Sequence, residues 1–250
     1  MEARSTRIRA FDALRGFSVV SMVGFHLCYD LVYLEGLDVP WFEPPFQDVW
    51  RASISWTFLL VAGIMCSYSR NNALRASRYL AVALAIFLVT SVAGVDTPIS
   101  YGIIYCMGFS TLMAWLVGKL PFRGGRRAAI ALAALLIVAF LLCLDVPRGT
   151  VGLAQFAGPY VRIPSWPYET GALSWLGFPA PRFASGDYYP PVPYTLLFAS
   201  GACLGPCIRG GAVPRWLGRL RCRPLELVGR HALLVYVLHQ PLLLLAVGLV

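Results

Sequence analysis

Two histidines and their polar neighbours are the residues best suited to chemistry in this chain. His26 lies four residues before Asp30. On a helix that spacing puts imidazole and carboxylate on one face. The acid can then fix the ring's tautomer while the ring serves as a general base. A second set, Tyr236, His239 and Gln240, falls within one helical turn near the C-terminus, and Pro241 comes directly after it. A proline there removes one helix hydrogen bond and frees the carbonyl of Val237. A third pair, Asp12 and Arg15, has i,i+3 spacing. Arginine can grip a phosphate or carboxylate with two parallel hydrogen bonds. Each set also has a structural reading: His26–Asp30 as a polar tie between helices, His239 as a ring satisfied by a nearby carbonyl, and Arg15 as a basic flank that sets orientation. His231, at the start of the last apolar stretch, reads as interfacial.

Helices must position these groups. In FDALRGFSVVSMVGFHLCYDLVYL (11–34), Arg15 and His26 are roughly 16 Å apart along a helix axis and only about 20° apart around it. Asp12, Ser18, Met22, Tyr29, Asp30 and Tyr33 share that side, while Phe17, Val20, Gly24, Leu27, Cys28 and Leu31 form the other. An imidazole and a carboxylate are costly in lipid, so this stripe is expected to face protein or a wet cavity.

The chain is 58% hydrophobic and 13% charged, with a mean hydropathy of +0.67. Soluble domains carry about 25% charged residues, which excludes that class. A bilayer core takes about 20 apolar residues per helix. Seven spans are expected, at 12–34, 52–69, 79–96, 100–118, 127–146, 190–208 and 229–249. They fill one all-α polytopic membrane domain, 1–250. The first span is too long and too polar for a signal peptide and lacks a small-residue cleavage site.

The net charge of +9 raises nucleic acid as a partner, but the charges are sorted by membrane side. With seven spans, 17 of the 21 Lys/Arg fall on one side, leaving Arg51, Arg148, Arg162 and Arg182 on the other. That bias predicts a cytoplasmic N-terminus and an outside C-terminus, in the inner membrane, with lipid as the surroundings and no nucleic acid. The seven cysteines lie mostly within spans and form no CxxC, so neither a disulfide framework nor a metal site is indicated. Walker A, GxGxxG and GxSxG patterns are absent as well.

Two outside connections stand out. Residues 35–48 are acidic and aromatic, and 147–189 hold Trp166, Tyr168, Trp175, Tyr188 and Tyr189 among prolines and glycines. Their rings could stack on sugars or form an interfacial belt. Glu169 and Asp187 are the outside acids placed to meet a polar acceptor. GALSWLGF (171–178) is expected as a short interfacial helix, and Gly201 with Gly205 as a close helix-packing pair.

RIRAFDALRGFSVVSMVGFH (7–26) resembles the opening helix of small bacterial proteins related to the catalytic domain of heparan-alpha-glucosaminide N-acetyltransferase. FLLVAGIMCSYSR (58–70), LSWLGFPAPRFASGDYYPPVPYTLLFASGACLG (173–205) and LVGRHALLVYVLHQPLL (227–243) resemble the same family, in order along the chain. The Arg-x10-His spacing and the GRxxLLxYxLHQP ending also resemble the wider transmembrane acyltransferases.

The resemblance implies transfer of an acyl group, acetyl in the first instance, from cytoplasmic acyl-CoA to an extracytoplasmic glycan or amino-sugar acceptor. It implies His26 and His239 as catalytic and matches Arg15 to the arginine of the motif, while Asp30 is expected as catalytic from its spacing to His26. Under this reading Arg15, Asp12, Arg70 and Arg230 are expected to hold acyl-CoA, and Tyr29, Tyr236, Gln240 and Asp187 to face the acceptor, with no metal. One departure is Tyr105, which stands where relatives are expected to carry His; a phenol donates hydrogen bonds but is a poor base at neutral pH. The rival class is a proton-coupled transporter or flippase-like component using the same midplane histidines. Transporters are often built from inverted repeats, and no repeat is visible in the sequence.

Overall fold

The computed structural model describes residues 9–119, 124–211 and 221–248. Five of the basic residues used for sidedness, Arg4, Arg7, Arg123, Arg215 and Arg219, lie outside the described residues. The chain packs as two compact units, residues 1–61 with 212–250, and residues 62–211.

The first unit opens with α1, Arg9–Tyr29, which runs into a π-helical turn at Asp30–Leu34. After the 35–45 connection comes α2, Phe46–Ile64, whose last turn belongs to the second unit. The unit closes with two C-terminal helices; in the numbering used here, α7 and α8 are the helices over Arg223–Arg230 and Ala232–Val247. They meet at 87° across His231. The expected stripe on α1 is visible in its burial: Asp12, Ser18, Met22 and Asp30 are buried, while Phe17, Val20 and Leu27 are exposed. Tyr33 departs from that expectation and is exposed. A regular wheel assumes 3.6 residues per turn to the end, but the π turn bonds Glu35 N–H to the Asp30 carbonyl, i to i+5, and shifts the direction of the side chains in that turn.

α1 and α7 approach backbone to backbone. A Cβ on Gly229 would lie 1.8 Å from the Asp12 carbonyl oxygen, and one on Gly16 would lie 1.9 Å from that of Leu225. Only glycine permits that approach, and in a membrane such contact is what holds helices together. Toward the other end of α1, Trp50 donates from Nε1 to Ser21 Oγ at 2.7 Å. Its ring packs on Phe25 with centroids 5.4 Å apart, and Phe42 meets Phe25 at 5.2 Å.

The second unit holds α3 (Asn72–Ala93), α4 (Ile103–Val117), α5 (Arg126–Leu142) and α6 (Pro191–Arg209). Between α5 and α6 lies a short antiparallel pair, β1 (Thr150–Gly152) with β2 (Tyr160–Arg162), in register Val151 to Val161. No strand is expected from the sequence. α3 starts seven residues before the expected 79, because Asn71 caps it, its side chain accepting from Leu74 N–H at 2.9 Å. Gly205 packs as expected: a Cβ there would lie 2.7 Å from the Ile64 carbonyl oxygen. The segment 171–178 is a run of turns and not a helix. Gly171 and Gly177 sit at φ +69° and +138°, outside helical space at both ends of it. Asp187 receives the Ile103 N–H at 2.9 Å and so caps α4. One residue further on, the Tyr188 phenol donates to the Ser174 carbonyl at 2.6 Å, and burial raises its pKa, which keeps it a donor.

Five described helices are long and apolar enough to cross a membrane, or six if α7 and α8 count as one bent span. The remaining expected span, 100–118, falls on α4, whose 15 residues reach roughly 22 Å at 1.5 Å each, short of a bilayer core of about 30 Å.

Candidate functional site

In the first unit α1 and α8 bring the two histidines together. The His26 and His239 rings meet edge to face with centroids 4.9 Å apart. One turn further along α1, Asp30 is fully buried, at 0% exposure. Its two carboxylate oxygens accept from Gln240 Nε2 at 2.9 and 3.0 Å. His26 with Asp30 on α1 thus faces His239 with Gln240 on α8, forming a four-residue polar layer. The Gln240 contact ties the Asp30 carboxylate, one turn from His26, to the second histidine's helix.

His239 is buried, with 8% of its surface exposed. Its Nδ1 contacts the carbonyl oxygen of Tyr236. A carbonyl only accepts, so Nδ1 must carry the proton and Nε2 is left with a lone pair. Among the described residues that Nε2 makes no hydrogen bond, and neither does Gln240 Oε1. Buried polar atoms normally find partners, and unpaired ones cluster where a ligand or chemistry needs them. Tyr236 packs against His239, its ring centroid 5.6 Å away, and Phe25 packs edge-on against His26 at 5.9 Å. These ring contacts restrict the orientation of both imidazoles.

At the other end of α1 lies a charged cluster. Asp12 and Glu226 are buried, with Arg230 Nε 3.9 Å from Asp12 Oδ2 and Arg230 Nη2 3.8 Å from Glu226 Oε2. Arg15, one turn along α1, is half-buried. Asp12, expected with the acyl-CoA set, is thus a buried carboxylate beside the Arg230 guanidinium. Glu226 is not singled out by the sequence patterns. A signal is nonetheless present, for it is the only acid after Asp187 and stands in an arginine-rich run. Arg70 is exposed and Asp187 caps α4, both in the second unit. Tyr29 packs at a tilt against Tyr33 with centroids 4.8 Å apart.

The sequence model described as heparan-alpha-glucosaminide N-acetyltransferase, catalytic, matches residues 7–241. The chain belongs to that family. Heparan-alpha-glucosaminide N-acetyltransferase catalytic domains form a membrane acetyltransferase family, and the match spans α1, with His26, through Gln240 and Pro241 of α8. No curated protein and no solved structure matches the chain.

The polar layer makes a stability prediction of its own. Gln240→Leu removes the donor of two hydrogen bonds to a buried carboxylate, which should cost about 1.5–3 kcal/mol, the range for a hydrogen bond to a charged group. Asp30→Leu in the same background should recover much of that loss. A double-mutant cycle on thermal unfolding in detergent checks it, and additive losses would show that the two side chains do not act as a pair.

Proposed function

We propose that this protein is an inner-membrane enzyme that moves an acyl group, acetyl in the first instance, from cytoplasmic acyl-CoA to a glycan or amino-sugar acceptor outside. The observation that carries the reading is the His26–His239 contact, buttressed by Asp30–Gln240. One imidazole takes the proton from the acceptor hydroxyl or amine as its oxygen or nitrogen attacks the thioester carbonyl. The C–S bond breaks and the thiolate of CoA leaves, taking up a proton. His239 Nε2 is poised for the first step by the proton on Nδ1, and the His26 ring lies edge to face against the His239 ring. Asp30 and Gln240 act as positioning residues. The basic bias of the sequence supports the sidedness, with Arg15 and Arg230 on the cytoplasmic side toward the CoA phosphates.

Arg15 gives the test of the donor side. Losing a charge-assisted hydrogen bond costs about 1.5–3 kcal/mol, roughly 10- to 100-fold in affinity. In nanodiscs, Arg15→Ala should bind desulfo-CoA weaker by that factor, with a shallower salt dependence than wild type. Equal affinity for the two proteins would remove Arg15 from the donor site.

A further inference from the structure

We propose that the outer aromatic loop of the first unit is a sugar-binding platform for neutral or cationic glycans; this rests on the acceptor reading above and names the surface that would hold the acceptor. The starting point is a set of large rings that the fold leaves uncovered. Trp41 is 56% exposed, Phe46 52% and Tyr33 52%. They are not loose. Trp41 sits against Phe46 with centroids 5.8 Å apart and against Trp50 at 6.3 Å. Buried Phe42 backs Trp41 at 6.0 Å. Exposed rings held rigid from beneath lose little entropy when a ligand stacks on them.

The polar groups beside the rings fit a hydroxylated ligand. Tyr33 Oη and Gln47 exchange hydrogen bonds at 3.2 and 3.3 Å on the surface, so a phenol and an amide are already aligned side by side. Glu35, Asp38, Glu43 and Asp48 are exposed on the same segment. Arg51 pairs with Asp48 at 3.0 Å, while among the described residues the other three make no ion pair. Ring faces take the C–H face of a pyranose, and carboxylates and an amide accept from its hydroxyl or ammonium groups. The uncompensated negative charge turns away uronates and phosphorylated sugars.

The platform is also connected to the histidines. Tyr33 lies seven residues past His26, roughly 10 Å of helix. Ring contacts run from Trp41 to Trp50, from Trp50 to Phe25 and from Phe25 to His26. Trp41 is thus three ring contacts from His26.

Calorimetric titration of the full chain in nanodiscs with three probes tests this without any acyl donor: tetra-N-acetylchitotetraose (neutral), tetraglucosamine (cationic) and tetragalacturonate (anionic). The wild type should bind the neutral or the cationic tetramer and not the anionic one. Trp41→Ala should weaken that binding roughly tenfold or more, as truncation of a central aromatic anchor does. Trp41→Phe should restore part of it, and Leu37→Ala, on the same loop with no ring, should leave it unchanged. Binding of tetragalacturonate as tight as the others, binding of none, or full affinity in Trp41→Ala would overturn the proposal. The last result would make the ring an anchor in the lipid interface. Absence of donor binding in the desulfo-CoA titration is a separate failure and leaves these titrations readable.

Discussion

Replacing either histidine of the polar layer is expected to cost about 10²–10⁴ in turnover, the usual range for a lost general base. His26→Ala and His239→Ala should fall in that range individually. The double variant should lose little more than the worse single one, because residues that work as one unit are not additive. The ring contact at 4.9 Å is the ground for this expectation. Desulfo-CoA affinity should stay near wild type in both, since an imidazole that handles the acceptor proton has no part in holding phosphates. His239→Gln adds a sharper arm: it keeps a polar side chain but supplies no basic nitrogen, so turnover should not recover. Steady-state rates of these variants beside wild type check this. Additive losses would mean that the two rings serve separate steps.

The second large effect concerns the backbone contact that seats α7 on α1. In Gly229→Ala the new Cβ meets Asp12 O at 1.8 Å, Asp12 C at 2.7 Å and Gly16 N at 2.9 Å, all backbone atoms. No side chain can rotate away, so the helices must separate. Overpacking typically costs about 1–3 kcal/mol, and a rigid backbone obstacle belongs at or beyond the top of that range. Gly16→Ala should cost about as much, and the pair together much less than the sum, since one separation relieves both clashes. Gly24→Ala is the contrast. Its Cβ would find only Trp50 ring carbons, at 3.7 Å and beyond, so stability should hold or rise slightly with the better helix former. Thermal unfolding of these variants in detergent measures the series. If Gly229→Ala melts like wild type, the α1–α7 contact is not what organises the Asp12–Arg230 cluster.

Much of the first helix is legible in the sequence because its pattern is local. Polar groups at helical spacing put Asp12, Ser18 and Asp30 on a buried side and Phe17 and Val20 on an exposed one. The wheel fails at Tyr33 because a π turn is not written in side-chain periodicity. Pairing His26 with His239 requires only that two polar residues in apolar helices share an environment. Pairing Asp30 with Gln240, across 210 positions, depends on the register of α1 against α8, which one sequence does not contain. The 171–178 turns read as a helix because the apolar pattern outweighs the glycines at its ends, whose positive φ angles belong to the tertiary arrangement. Glu226 escapes notice because a lone acid among arginines reads as a surface ion pair until its burial is known.

The most direct measurement of the central claim uses wild-type protein in proteoliposomes with acetyl-CoA labelled in the acetyl group. The account predicts that label passes to an acceptor, or slowly to water as acetate, and that free CoA thiol appears at the same rate, with both lost in His26→Ala. If the wild type releases no thiol and transfers no label, yet moves a solute across the bilayer under a proton gradient, the acyltransferase reading is contradicted and the midplane histidines belong to a transporter.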